Sequence, residues 1–127
     1  MSVLVTQGIK ISVVSKYLVD ESTPEENKFL YSYEVTIANE GQETVQLLNR
    51  HWIIKDSYNN VEEVRGEGVI GQTPVIAPGR SFTYTSWCPL RTEWGTMRGT
   101  YGMERPTGES FEALIPPFCL LPPHLLN

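Results

Sequence analysis

The chain has 127 residues, 40% hydrophobic and 20% charged, which suits one domain (residues 1–127) with a real hydrophobic core and excludes general disorder. A formal net charge of −5, with no run of Lys and Arg, argues against nucleic-acid and anionic-membrane partners, which need a basic face. No stretch reaches transmembrane length, and Met1 to Gln7 carries no charged leader. The expectation is therefore a cytoplasmic protein whose Cys88 and Cys119 are reduced and packed, a disulfide between them being the other option.

From Ile9 to Tyr17, Ile9, Ile11, Val13 and Tyr17 alternate with Lys10, Ser12 and Lys16, the pattern of a half-buried strand. Asp20 to Asn27 is polar and acidic and is expected to be a loop. Lys28 to Asn39 alternates most cleanly, with Phe29, Tyr31, Tyr33, Val35 and Ile37 on one face. Asn39-Glu40-Gly41 turns the chain. Val45 to Ile54 is long for one strand and its two faces compete, which predicts a bulge near Asn49. Asp56 to Asn60 is a hairpin loop and Val61 to Arg65 the returning strand.

Val64 to Gly79 then interrupts an apolar run with glycines and prolines, and contains a G-x-G-x-x-G string at Gly66, Gly68 and Gly71. Such a string holds a pyrophosphate when it follows a strand and opens a helix, whose N-terminus supplies N–H donors and a positive dipole end. Here Pro74 and Pro78-Gly79 leave no room for helical spacing, and no Asp or Glu lies between residues 85 and 92 to grip a ribose. A bulged turn between strands is the better reading, although successive N–H groups in such a turn can still form an anion-holding nest.

Phe82 and Tyr84 mark a core-facing strand over Ser81 to Ser86, and Met97, Gly99, Tyr101 and Met103 mark another over Gly95 to Met103. Glu104 to Glu109 is a hairpin turn. Phe111, Ala113 and Ile115 begin a last strand that Pro116-Pro117 should break, leaving Phe118 to Asn127 as an extended tail. Seven or eight short strands without a credible helix predict an all-β antiparallel β-sandwich, with a barrel as the alternative.

Several side chains could carry chemistry. His51 and His124 are far apart and lack metal-ligand spacing with Cys or carboxylates. Glu62, Glu63 and Glu67 bunch near the glycines; they could hold Mg²⁺ through water, or form a solvated edge that discourages aggregation, which is preferred. Ser86 and Cys88 have no base nearby in sequence. Arg50 and Trp52 share a face, either stacking or offering a recognition surface. No metal site and no cofactor are expected.

The order of these stretches resembles the ApaG family of small bacterial proteins, whose domain also ends some eukaryotic F-box and polymerase-interacting proteins. The resemblance rests on Phe29-x-Tyr31-x-Tyr33-x-Val35-x-Ile37, Val45-Gln46-Leu47-Leu48-x-Arg50-x-Trp52 and Glu63-Val64-x-Gly66-x-Gly68-Val69-x-Gly71-x-x-Pro74. It continues through Ile76-x-Pro78-Gly79, Tyr84-Thr85-Ser86, Gly95-x-Met97-x-Gly99-x-Tyr101, and Phe111 ahead of Ile115-Pro116-Pro117-Phe118. It implies an immunoglobulin-like (fibronectin type III-like) antiparallel β-sandwich, no established enzymatic activity, and a loose association with cobalt resistance and magnesium efflux. It also places a proposed pyrophosphate site on Gly66, Gly68 and Gly71. Trp87 and Trp94 depart from it, where smaller residues would be expected.

The functional expectation is a non-enzymatic binding module acting on a protein partner, with a homodimer as one option. The alternative is a small-anion or nucleotide binder using Gly66, Gly68 and Gly71. A phosphoanhydride hydrolase ranks last, because base, nucleophile and metal ligands are unaccounted for. The proposed interaction surface is Trp87, Arg91 and Trp94 in an exposed loop over residues 87–95, since Trp and Arg concentrate binding energy at interfaces. The competing reading folds both indoles back over the open end of the sandwich. The all-β expectation is checked by far-UV circular dichroism, which should show less than about a tenth helix where ordinary domains carry about a third.

Overall fold

The computed structural model describes residues 1–125 and consists of two antiparallel sheets packed face to face. In chain order the strands are β1 (Ser2–Thr6), β2 (Ile9–Tyr17), β3 (Phe29–Asn39), β4 (Val45–Asp56) and β5 (Val61–Glu67). They continue with β6 (Val75–Ile76), β7 (Ser81–Leu90), β8 (Gly95–Glu104) and β9 (Ser110–Leu120). One sheet has the order β1-β2-β3-β7; the other is β5-β4-β8-β9, with the two-residue β6 paired to the start of β4. The only helical pieces among the described residues are single 3-10 turns, Pro24–Glu26 and Pro123–Leu125.

The predicted alternation holds where it was cleanest. Tyr31, Tyr33, Val35 and Ile37 of β3 are buried, as are Ile9, Ile11 and Val13 of β2 and Met97, Tyr101 and Met103 of β8. Trp52 joins the sheets: its indole meets Tyr33 of the other sheet at 5.3 Å, and Tyr101 and Phe118 at 6.2 and 6.0 Å, all edge-on. Such arrangements add about 0.5–1.5 kcal/mol each beyond area burial, because the ring edge is positive and the face negative.

Two bulges keep the inward faces apolar. In β4, Leu47 pairs with Met103 and Asn49 with Gly102, so Leu48 is an extra residue. The slip lets both Leu47 and Trp52, five positions apart and of opposite parity, point inward. In β9, Pro116 and Pro117 lie opposite the single Arg98 of β8. The prolines therefore do not break the last strand, as their sequence suggests, but form its bulge on an edge strand where missing N–H donors cost little. Inward parity passes from Ala113 and Ile115 to Phe118 and Leu120.

Other sequence expectations need correction. Ser2–Thr6 is a strand whose Val3, Leu4 and Val5 gave no recognisable period. Strand β7 runs on through Trp87, Cys88, Pro89 and Leu90, so the expected loop over residues 87–95 shrinks to the turn before Gly95. Within the expected tail, Phe118–Leu120 are strand and Pro123–Leu125 a 3-10 turn; its last two residues lie outside the described ones. Cys119 is exposed rather than packed, and both thiols are free.

The two long sides of the sandwich differ. On one, edge strands β1 and β9 lean together: the Leu114 amide donates to Thr6 Oγ1 at 3.1 Å, and farther along Ser15 Oγ of β2 donates to the Cys119 carbonyl at 3.0 Å. On the other, edge strands β5 and β7 stay apart, and the space between them positions the candidate site.

Burial lifts the phenols of Tyr31, Tyr84 and Tyr101 above the ordinary value of 10.0, and Tyr84 and Tyr101 hydrogen-bond each other in the core. An unfolded chain releases these protons near pH 10, whereas the fold retains them, so the unfolded state binds fewer protons above that value. The stabilisation is complete below about pH 10 and is lost as pH rises beyond it. In a spectrophotometric titration these three tyrosines should ionise together with loss of the near-UV circular dichroism signal; ionisation with the fold intact would contradict their burial.

Candidate functional site

Three adjoining cavities of about 390, 230 and 320 Å³ run in line between β5 and β7 and share residues at each junction. Ile54, Glu62 and Pro89 are common to the first two. Tyr33, Arg50, Trp52 and Ser86 are common to the second and third. Together they form one groove, with Trp52 and Tyr33 in its floor, Glu62 and Val64 on one wall, and Ser86, Trp87 and Pro89 on the other.

Arg50 lies at mid-groove because it stands two residues before Trp52 on the same face, and the Leu48 bulge turns that face inward although Leu47 is inward too. It pairs with Gly66 of β5, and its guanidinium lies over that glycine, where a Cβ would come within 2.6 Å of it. One terminal nitrogen, Nη1, donates to the carbonyls of Glu67 and Gly68, at 3.0 Å each. Nε and Nη2 have no protein acceptor among the described residues, and no carboxylate lies within salt-bridge reach of Arg50. The result is a half-buried cation with one side of its fork free. Its positive field also reaches the phenols of Tyr33, Tyr84 and Tyr101, favouring their ionised forms against the stronger opposing effect of burial.

The glycine string borders this groove but is not a phosphate loop. Strand β5 runs through Gly66, and the chain then reverses in a two-residue hairpin. The Val69 amide donates to the Gln72 carbonyl at 2.8 Å, and the Gln72 amide to the Val69 carbonyl at 2.9 Å. The central pair, Ile70 and Gly71, both have positive φ, 44° and 76°, which is the type I′ turn that suits a hairpin's twist. No helix follows. The Gly68 amide is taken by the Leu48 carbonyl at 2.8 Å, so the bulge and the turn are tied together and two of the string's N–H donors are already used. Ile70 is a β-branched residue in left-handed backbone, half exposed at the groove mouth. Such outliers cost roughly 1–3 kcal/mol and cluster at functional sites.

The remaining candidates separate. Trp87 is 59% exposed on the groove wall, and Arg91 lines the groove's far end. Trp94 is 40% exposed but does not line the groove. Neither indole is folded into the sandwich. The turn between them is pinned, because buried Thr92 accepts from the Ser57 amide and donates to the Trp94 carbonyl, and Tyr31 Oη donates to the Glu93 carbonyl.

The histidines do not meet: His51 pairs with Glu63 at 2.9 Å, and His124 with Glu93 at 3.4 Å. Glu62 and Glu67 line the groove while Glu63 faces His51, so the three carboxylates do not converge. Among the described residues no group of three His, Cys, Asp or Glu could hold a metal. Burial pushes the Cys88 thiol up to about 12, which leaves almost no thiolate at neutral pH. The groove was not legible in the sequence. The aromatic residues Tyr33 and Trp52 and the cation Arg50 were visible, but their meeting depends on which sandwich side stays open.

Comparison with known proteins is consistent across the chain. The family model described as the ApaG domain matches residues 19–105. The ApaG protein of Rhodospirillum centenum is 51% identical over 120 residues, covering 94% of this chain and 92% of that protein. The ApaG protein of Anaeromyxobacter dehalogenans is 48% identical over the full length of both chains. The crystal structure of the putative ApaA protein from Bordetella pertussis superposes with a TM-score of 0.88 at 45% identity, covering 91% of this chain and 94% of that one.

The three glycines should respond differently to alanine. At Gly68 a Cβ would lie 2.2 Å from the Gln72 carbonyl oxygen, in backbone of φ +61°, so Gly68→Ala should lose about 2 kcal/mol or more. Gly71 has open space but φ +76°, so only the left-handed penalty of about 1 kcal/mol applies. Gly66→Ala should push the Arg50 guanidinium aside and cost less than Gly68→Ala. Urea denaturation of the three variants checks this order.

Proposed function

The chain belongs to the ApaG family, and from that footing we propose that it is a binding module without enzymatic activity, engaging a protein through the groove between β5 and β7. The observation that carries this reading is the groove itself: a built channel with an aromatic floor and an exposed tryptophan on its wall, flanked by two edge strands with free backbone groups. Recognition by strand addition and by Trp and Arg anchors uses those features. Nucleophilic chemistry has little support, because the Cys88 thiol is held protonated and neither histidine lines the groove. A cytoplasmic location belongs to this proposal, as does an indirect role in cobalt and magnesium homeostasis, exerted through the partner rather than through a metal held by this chain.

A second reading, a pyrophosphate or nucleotide at Gly66, Gly68 and Gly71, is favoured by one observation, the free side of the Arg50 fork beside the turn. It ranks second because the turn's own donors at Gly68 and Val69 are already bonded within the fold.

The test is capture from native lysate by the full chain and by Trp87→Ala, Arg91→Ala and Trp94→Ala. All three side chains are exposed, so each variant should keep its stability within about 0.5 kcal/mol. Trp87→Ala and Arg91→Ala should lose the captured protein, and Trp94→Ala should retain it. Capture indifferent to Trp87 and Arg91 would remove the groove from the function. A melting shift with pyrophosphate that Arg50→Gln abolishes would promote the second reading.

A further inference from the structure

The edge strands on the open side differ in character. Strand β5 carries Glu62, Glu63, Arg65 and Glu67, the charge pattern that blunts an edge against unwanted pairing. Strand β7, Ser81–Leu90, has no charged side chain at all over ten residues, pairs only with β3, and exposes Trp87. An uncharged free edge of that length is an aggregation hazard unless something covers it.

Beside that edge sits the unpaired side of the Arg50 fork. Nε–H and the two Nη2–H groups are free, the geometry that takes a carboxylate side-on through two parallel hydrogen bonds. The groove continues past Arg50 in both directions, toward Arg91 and toward Ile70. A chain terminus is thus not what the site is shaped for; a chain that passes through is. Glu62 and Glu67 line the groove on either side of Arg50, so a run of acidic residues would be repelled and a single one accepted.

Resting on the binding-module reading, we infer that the groove takes an extended peptide that adds as a strand to β7 and sets one acidic side chain on the free fork of Arg50. In an extended chain alternate side chains share a face, so the residues two before and two after the acid also point inward. They meet Cys88 and Ile54 in one direction and Tyr84 and Val69 in the other, which asks for apolar side chains, while the outward-facing residues between them run beside Trp87. The recognised pattern is apolar-x-acid-x-apolar.

The experiment selects random eight-residue peptides, displayed with flanking spacers, on the full chain. A selected peptide is then made with its acid as Glu and as Gln, and titrated against the native protein, Arg50→Lys and Trp87→Ala. The expected result is the stated pattern, with affinity falling at least about tenfold for Gln in the peptide and for Arg50→Lys, since Lys keeps the charge but loses the fork. Amide exchange should slow along β7. The Glu-to-Gln change touches only the peptide, so it stands even if Arg50→Lys folds poorly. Peptides that bind without an acid, or that tolerate Gln, overturn the inference and leave the module reading standing. So does failure to select any peptide while Trp87-dependent capture from lysate persists. Concentration-dependent dimerisation lost in Trp87→Ala would assign the groove to a second copy and also overturn it. If neither peptide binding nor capture depends on Trp87, both readings fall.

Discussion

The open side of this sandwich depends on one extra residue in β4. Without Leu48 unpaired between Leu47 and Asn49, the side-chain period of two would put Leu47 and Trp52 on opposite faces. Either Leu47 would leave the core, or the indole that bridges the sheets would. The bulge resolves this and at the same time turns inward the face that Arg50 shares with Trp52. Its freed carbonyl does not stay orphaned, since the Gly68 amide bonds to it, and Arg50 in turn holds the carbonyls of Glu67 and Gly68. Bulge, glycine turn and arginine are thus one hydrogen-bonded unit, satisfied in the way buried backbone groups demand.

This arrangement also explains why glycines stand at Gly66 and Gly68. The first provides a flat surface for the guanidinium; the second fits against the Gln72 backbone in a conformation side chains avoid. A string that resembles a phosphate loop is therefore used to seat an arginine and to reverse a strand. The chemistry nearby is cationic and aromatic, and its donors are side-chain N–H groups rather than a cradle of backbone amides.

Much of this was legible in the residue order, and the failures have physical causes. The strand faces of β3 and β8 could be read because one side of each is fully buried and the alternation is enforced. The bulge near Asn49 could be read because the apolar residues of β4 change parity there. Strand β1 could not, because Val3, Leu4 and Val5 present apolar groups to both faces at an exposed edge. Pro116-Pro117 looked like a strand break, and residues 87–95 with Pro89 among them like a loop, but both β7 and β9 are edge strands, where a missing donor breaks no ladder. The groove was beyond reach. It is created by β1 and β9 leaning together while β5 and β7 do not, and no local pattern records which sides of a sandwich touch.

Ile70 has a consequence for how this chain can vary. Its left-handed backbone suits Asn or Gly, the residues usual at the first central position of a type I′ turn, and either would relieve strain without disturbing a buried contact, since the side chain is exposed. Stability is thus within easy reach by a single codon change and has not been taken. What the isoleucine supplies at that cost is the apolar surface it shows at the groove mouth, which neither Asn nor Gly would offer.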